Sequence, residues 1–294
     1  MVLFGFLFFI LDKLFYLFLL IAPKLEVDKR LELMLNGKIN KEIIVMGSSR
    51  GVYNIIAGQI ERETGLSAYN ISYPGSNIEF HEFLLKTLLE FNTKPRIIVL
   101  SLDNPAEFQL DKTLNYRLDK LYPLVKYNYI NRELIIRKDK NQLSWLMCLA
   151  RLNRGNFSIV KKKDNTESPF LPCGSTPFIH QNIKNKFAFQ TKESPYSNER
   201  EVEDKRKSFL EFKAICERNH IKLIYCFAPN FRTYNPALEN RIKLLSAHKV
   251  PVFVYDTFNV KYKNKDYFYD ESHLNIKGAK LFTSELSHFI NQNK

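Results

Sequence analysis

The residue types that a serine hydrolase uses occur in two short blocks near opposite ends of the chain. Residues 47–50 read Gly-Ser-Ser-Arg, and residues 270–273 read Asp-Glu-Ser-His. A serine nucleophile needs a histidine that takes its proton and an acid that holds the histidine ring. Asp270 and His273 are three residues apart, so one tight turn brings them together. The blocks therefore predict acyl-transfer chemistry at a serine.

Two further polar blocks lie between these and supply donors for an oxyanion. Residues 74–77 read Pro-Gly-Ser-Asn, and residues 103–104 read Asp-Asn. A tetrahedral intermediate is stabilised by N–H groups directed at its oxygen. The backbone of Gly75 and the side chain of Asn104 are the candidate donors.

The elements that must position these blocks alternate between short apolar strands and amphipathic helices. This pattern predicts an α/β fold whose mostly parallel sheet has helices on both faces. Ligands of such sheets bind at the carboxyl ends of the strands, where the polar blocks lie. The predicted strands are 42–46, 68–72, 96–102, 221–227 and 252–255, and the predicted helices are 52–64, 79–91, 204–219, 235–248 and 276–290.

The alternation is interrupted over residues 109–203. Residues 122–152 have a mostly helical pattern, and residues 161–198 are polar and contain four prolines. We interpret 109–203 as an insertion or lid within one domain, 25–294, with no internal repeat.

The segment 2–22 is apolar except for Asp12 and Lys13. Two charges near the centre of a bilayer cost roughly 6 kcal/mol, while the apolar residues return roughly 8 kcal/mol. We therefore expect residues 1–24 to anchor the chain as a transmembrane helix, with a buried or interfacial helix as the alternative. A cleaved signal peptide is disfavoured because no basic region precedes the segment. Basic residues follow it, which favours a cytoplasmic body, although large domains can be translocated regardless of charge.

The net charge of +13 suggests an anionic partner without specifying which. Nucleic acid is not the expected partner, because the basic residues are scattered and no recognition motif is present. The lysines at 161–163 are interpreted as a solvated loop, with attraction to a membrane surface as the second reading. No cofactor is predicted, and no metal, since the four cysteines lack metal-binding spacing.

Taken in order, the four blocks resemble those of the SGNH, or GDSL-type, esterase superfamily. The resemblance covers residues 42–290, and the ending Asp-x-x-His-Leu-Asn is similar to membrane-anchored bacterial members that act on surface glycans. It implies Ser49 as nucleophile, His273 as base and Asp270 as the orienting acid. It also implies Gly75 and Asn104 in the oxyanion hole. The fold that it implies is an α/β fold with a three-layer, doubly wound, mostly parallel sheet of the flavodoxin-like kind.

Two positions depart from the family pattern. Ser48 stands where the family often has aspartate, which makes Ser48 the alternative nucleophile. Asp103 stands where the family asparagine is expected, so the donor role either moves to Asn104 or is absent. Loss of one such donor typically lowers the rate about a hundredfold or more.

Structural roles account for the same residues in other ways. Ser48 and Ser49 could cap the following helix, and Asp270 could cap the last one. The block at 47–51 could cradle a phosphate on its backbone amides. The chain could also be an inactive protein on an SGNH-like scaffold.

The resemblance implies a serine esterase or O-acyltransferase attached to the membrane. Its expected substrate is an ester-linked acyl group, on an envelope or exported polysaccharide. The catalytic domain is then expected outside the cytoplasm.

Overall fold

The computed structural model describes residues 2–103, 107–180, 186–192 and 196–294, which form two compact units. The smaller unit combines the chain up to Glu32 with Arg117–Asp164. The larger unit combines Leu33–Tyr116 with Asn165–Lys294. The insertion expected over 109–203 falls partly in each.

Sixteen helices and strands follow one another in the described residues. The α-helices are α1 (Val2–Leu14), α2 (Tyr16–Leu25), α3 (Arg30–Leu35), α4 (Ser49–Asn54), α5 (Ala57–Thr64), α6 (Ile78–Phe91), α7 (Leu118–Leu121), α8 (Asn128–Ile136), α9 (Glu203–Arg218), α10 (Ala237–Leu245) and α11 (Ile276–Gln292). The strands are β1 (Ile43–Gly47), β2 (Ala68–Asn70), β3 (Ile97–Leu102), β4 (Lys222–Phe227) and β5 (Val252–Val254).

The larger unit contains one sheet of five strands in the order β2-β1-β3-β4-β5. All neighbouring pairs are parallel, with Val45 opposite Val99 and Val99 opposite Ile224. The prediction of an α/β fold with a parallel sheet is confirmed. Parallel order brings the carboxyl ends of all five strands to one edge of the sheet, which is where the polar blocks follow β1, β2 and β3.

The sheet is held by an apolar core. Every residue of β1, β2 and β3 is buried, as expected for parallel strands covered on both faces. Val45, Val99 and Ile224 belong to a core cluster that also includes Ile60 of α5 and Phe282 of α11. Elsewhere in the unit α6 packs against α9. The positions that carry the site therefore rest on a rigid base.

The helix predicted over 52–64 is wrong in its bounds. It begins earlier, at Ser49, and is broken at Ile55 and Ile56, both of which have extended backbone. Side chains from elsewhere replace the helical hydrogen bonds there. Ser175 Oγ donates to Ile55 O at 2.8 Å, and Thr283 Oγ1 accepts from Ile56 N at 3.1 Å. Tertiary contacts therefore overrode the local helical pattern.

The smaller unit contains the apolar N-terminal segment. Val2–Leu25 is long and apolar enough to cross a membrane, and few of its residues are buried, unlike a core helix. Length and composition alone support this, and a signal sequence would look the same. In the same unit, the helical pattern of 122–152 is only partly realised. Asn128–Ile136 is an α-helix, whereas Gln142–Trp145 and Leu149–Arg151 are short 3-10 turns.

The two charges inside the apolar segment have partners within the smaller unit. The buried Asp12 carboxylate accepts from the backbone N–H of Cys148 at 2.9 Å and of Leu149 at 2.8 Å. Lys13 Nζ donates to Asp12 at 3.0 Å and to Leu146 O at 2.8 Å. These contacts offset part of the free-energy cost of placing charged side chains in an apolar helix.

Candidate active site

The candidate nucleophile lies at the turn between β1 and α4. Gly47 has a φ of +153°, and a Cβ there would lie 2.7 Å from Ser101 O, so the turn requires glycine. Ser49 is the first residue of α4 and is partly exposed. The Ser48 hydroxyl is buried, has no hydrogen-bond partner among the described residues and does not cap the helix. The two serines therefore occupy different environments.

The candidate acid and base share one tight turn after β5. Asp270 Oδ1 accepts from the backbone N–H of Ser272 at 2.7 Å and of His273 at 2.9 Å. The carboxylate also lies 2.9 and 3.0 Å from His273 Nδ1. Burial favours the neutral acid, but the hydrogen bonds and charge of His273, with the two amides, outweigh it. The pKa of Asp270 is therefore below its ordinary value.

Asp270 does not cap the last helix, so that structural alternative is wrong. Helix α11 begins at Ile276, and its cap is Asn275, whose Oδ1 accepts from the N–H groups of Lys277 and Gly278. The Asp270 carboxylate is therefore free of a capping role and hydrogen-bonds to the His273 ring.

The two turns meet at the carboxyl edge of the sheet. Ser49 Oγ lies 2.9 Å from His273 Nε2, across 224 residues of sequence. An ionised Asp270 only accepts, so the proton of the neutral ring is on Nδ1. Nε2 then accepts from the Ser49 hydroxyl. This is the hydrogen-bonded order of a nucleophile, a general base and an orienting acid.

A buried side chain ties the helix of Ser49 to the turn of His273. Asn54, at the end of α4, accepts from the backbone N–H of Leu274 at 2.9 Å through its Oδ1. Helix α4 also packs against α11, which starts two residues after Leu274. This contact fixes the distance between Ser49 and His273. No local pattern predicts this contact, because the partners are 220 residues apart.

An aromatic wall, formed by Tyr53, Phe178 and Tyr269, holds the imidazole ring. Tyr53 meets the His273 ring edge-on at 5.3 Å between centroids. Phe178 stacks on Tyr269 at 3.7 Å and lies 5.9 Å from His273. Sequence reasoning missed all three. The one available signal was Tyr53, four residues after Ser49 and so on the same face of a helix that begins at Ser49.

Two cavities open onto His273. The first, of about 420 Å³, contains Ser49, Gly75 and His273 in its wall. Gly75 has a φ of +70°, and its carbonyl accepts from Asn115 N at 2.9 Å. The rest of that wall is polar apart from Leu114 and consists of Arg50, Asp103, Asp111, Thr113, Arg232 and Ser272. A second cavity of about 330 Å³ includes Lys186, Phe187, Asp270 and Glu271.

The position expected to hold the third oxyanion donor contains an ion pair. Asp103 Oδ1 lies 3.2 Å from Arg50 Nε, and both side chains are nearly buried. Burial raises the pKa of Asp103, opposed by Arg50 and His273. Burial and the charge of Asp103 raise the pKa of Glu107 to about 8, and Glu107 accepts from Asp103 N at 2.8 Å. Asn104 lies outside the described residues.

The structure thus brings together Ser49, Asp270, His273 and Gly75. Within the described ranges, no group of three or more His, Cys, Asp or Glu side chains is arranged to hold a metal ion. No protein-family model and no curated protein matches this chain. The interpretation of the site therefore rests on its geometry.

Proposed function

We propose that this chain is a membrane-anchored serine esterase or O-acyltransferase of the SGNH type. The observation that carries the proposal is the hydrogen-bonded series from Ser49 through His273 to Asp270. A serine that merely capped a helix would not need a histidine at 2.9 Å, nor would that histidine need a carboxylate behind it. The strand order, and the packing of α5 on α11 and of α6 on α9, support the three-layer, doubly wound arrangement of that family.

In the proposed mechanism His273 Nε2 takes the proton of Ser49 as Oγ attacks the acyl carbonyl. Asp270 holds Nδ1–H and stabilises the imidazolium. When the ester C–O bond breaks, His273 returns the proton to the leaving alcohol. The acyl group is then on Ser49, and water or a sugar hydroxyl removes it by the same steps in reverse.

The oxyanion donors in this proposal are the backbone N–H groups of Ser49 and Gly75, with the Asn104 side chain as a third. Asp103 is placed where a donor is expected, but an ionised carboxylate cannot donate. We assign Arg50, its ion-pair partner, the role of keeping that carboxylate from repelling the developing negative charge.

The cavity beside Ser49 supports a polar substrate. Among the described residues of its wall, Leu114 has the only large apolar side chain, and the two arginines are balanced by two aspartates. Such a wall offers hydrogen bonds to hydroxyl groups and little surface for a long acyl chain. We therefore propose a short ester-linked acyl group on a sugar of an envelope or exported polysaccharide. That substrate places the catalytic unit outside the cytoplasm.

The second candidate function is binding of a phosphate or other anion by an inactive protein of the same fold. The observation that favours an inactive protein is Asp103, which is paired with Arg50 at the expected position of an oxyanion donor. Such a protein does not need an activated serine, so the two candidates differ in the reactivity of Ser49.

Labelling by a fluorophosphonate probe tests the proposal on the full chain in neutral detergent. We expect wild-type protein and Ser48→Ala to be labelled, with the mass increase on the peptide that contains Ser49. Ser49→Ala and His273→Ala should lose labelling and lose at least about 10⁴-fold in hydrolysis of a short acyl ester. Ser48→Ala is the matched control, because it removes the neighbouring hydroxyl.

Two results would contradict the proposal. Labelling that persists in Ser49→Ala would show that another residue reacts. Well-folded wild-type protein that is neither labelled nor active would favour the anion-binding candidate, which calorimetry with inorganic phosphate then tests.

A further inference from the structure

The smaller unit contains a basic cavity that takes no part in the proposed chemistry. Its volume is about 570 Å³. Its wall contains five lysines and only two acidic residues, from two stretches of sequence: Lys24, Glu26, Val27, Lys29, Lys161, Lys162, Lys163 and Asp164. Because lysines from two separate segments line the same cavity, we interpret it as a site for an anion.

The two stretches, 17–29 and 157–164, each change from exposed apolar residues to lysines, and these changes lie side by side in the smaller unit. In α2, Leu17, Phe18 and Ile21 are exposed before the chain reaches Lys24. In the second stretch, Phe157, Ile159 and Val160 are exposed immediately before the lysines at 161–163.

Two contacts fix that alignment. The Phe18 and Phe157 rings lie 5.4 Å apart, and Lys162 N donates to Leu25 O at 3.1 Å. A surface that is apolar on one side of a line and cationic on the other matches the boundary between acyl chains and headgroups.

The acidic residues of the cavity neutralise only part of its charge. Glu26 pairs with Lys162 at 2.6 Å, and Lys29 lies 4.0 Å from Glu32. Lys24, Lys161 and Lys163 have no ion pair within the described part of the chain. Burial lowers the pKa of Lys29, and the nearby positive charge of Lys161 adds to this effect, while Glu32 and Glu26 oppose it. A bound anion would relieve this crowding of positive charge.

We propose that this cavity binds the phosphate of an anionic phospholipid while the exposed apolar residues of α2 and 157–160 contact its acyl chains. The lysines at 161–163 then belong to the membrane attachment rather than to a solvated loop. Each lysine near an anionic surface adds to binding, and three unpaired ones act together. A free phosphate would leave the exposed apolar residues of α2 and 157–160 without a partner, whereas the acyl chains of a lipid would cover them.

The test uses the full chain in neutral detergent with equimolar phosphatidylglycerol and phosphatidylcholine of identical acyl chains. Native mass spectrometry measures the ratio of the two retained lipids. We expect wild-type protein to prefer phosphatidylglycerol by about tenfold or more. The variant Lys24→Gln/Lys161→Gln/Lys163→Gln should lose that preference.

Two controls separate the cavity from net charge and from misfolding. Lys222→Gln/Lys249→Gln/Lys277→Gln removes three exposed lysines of the larger unit and should keep the preference. Lys24→Arg/Lys161→Arg/Lys163→Arg keeps the charge and should keep it as well.

The proposal is overturned if wild-type protein retains both lipids equally. It is also overturned if Lys24→Gln/Lys161→Gln/Lys163→Gln and Lys222→Gln/Lys249→Gln/Lys277→Gln show the same lipid preference. Complete displacement of the lipid by excess inorganic phosphate would assign the site to free phosphate instead. None of these outcomes depends on esterase activity, so the experiment tests the lipid site independently of the proposed function.

Discussion

The two units of this protein give their key carboxylates different hydrogen-bond partners. In the larger unit, the partners of Asp270 and Ser49 include the side chain of His273, which faces an open cavity. In the smaller unit, the partners of Asp12 are chiefly the backbone amides of Cys148 and Leu149. The Ser49 hydroxyl has its proton directed at His273 Nε2, whereas the Asp12 carboxylate is held by backbone N–H groups that have no proton to transfer.

The contrast follows from what surrounds each group. A carboxylate beside an imidazole and a hydroxyl changes the basicity of its neighbours, which is useful for catalysis. A carboxylate on an apolar helix has no such use unless it binds another segment, since its burial is otherwise unfavourable. Asp12 therefore stabilises the packing of two segments, whereas in the proposed mechanism Asp270 adjusts the basicity of His273.

Among changes that leave Ser49 and His273 in place, the largest effect should come from Asp270→Asn, which keeps the shape of the acid but removes its charge. The amide can hold the imidazole in the wrong tautomer, with Nε2 protonated and unable to accept from Ser49. We expect hydrolysis of a short acyl ester to fall about 10³- to 10⁴-fold while circular dichroism shows that the protein stays folded. Glu271→Gln, in the same turn, is the control and should stay near the wild-type rate. An active Asp270→Asn enzyme would show that the acid is not needed.

A smaller effect concerns His81, a fully buried group of α6 whose Nε2 lies 2.8 Å from Ser76 Oγ. Burial lowers its pKa to about 3. The unfolded chain binds a proton below about pH 6.5 that the folded chain excludes, so stability falls as the pH decreases. Between pH 6.5 and 5 the loss attributable to His81 should be about 2 kcal/mol.

Hydrogen exchange of the β3 amides in the full chain measures this loss, because these amides report on opening of the larger unit. His81→Gln should reduce the pH dependence, and the exposed His180→Gln should not. Equal pH dependence in His81→Gln and wild-type protein would mean that His81 is protonated in the folded state.

The smallest effect should come from Asp12→Ala, which leaves the amides of Cys148 and Leu149 without their acceptor. We expect the smaller unit to lose about 1–2 kcal/mol of stability. Trypsin should then cut faster within 137–163 in detergent, while esterase activity per folded molecule stays unchanged. Asp204→Ala, at an exposed position of the larger unit, is the matched control. If activity fell and trypsin sensitivity did not change, the contrast between the two units would be wrong.

Much of the fold was predictable because its signals are local. The apolar runs of β1, β3 and β4 need burial on both faces, and a parallel sheet provides it. The closing helix was placed correctly from residue 276 onward. The break at Ile55 and Ile56 was not predictable, because Ser175 and Thr283, which cause it, are more than 100 residues away.

The candidate site divides in the same way. The spacing of Asp270 and His273 fixes a turn in which carboxylate and imidazole meet, so the sequence by itself determined that pair. Residue types also determined an apolar segment with two charges, and a run of lysines after residue 160.

Only the tertiary structure decided which serine meets His273, because Ser48 and Ser49 are chemically identical and differ in the direction that the turn gives them. It also decided that Asn54, Tyr53 and Phe178 hold the base, that Asp12 finds its partners at 148 and 149, and that Lys24 joins the lysines at 161–163. These contacts join residues far apart in sequence, and no local pattern records which distant segment will pack beside them.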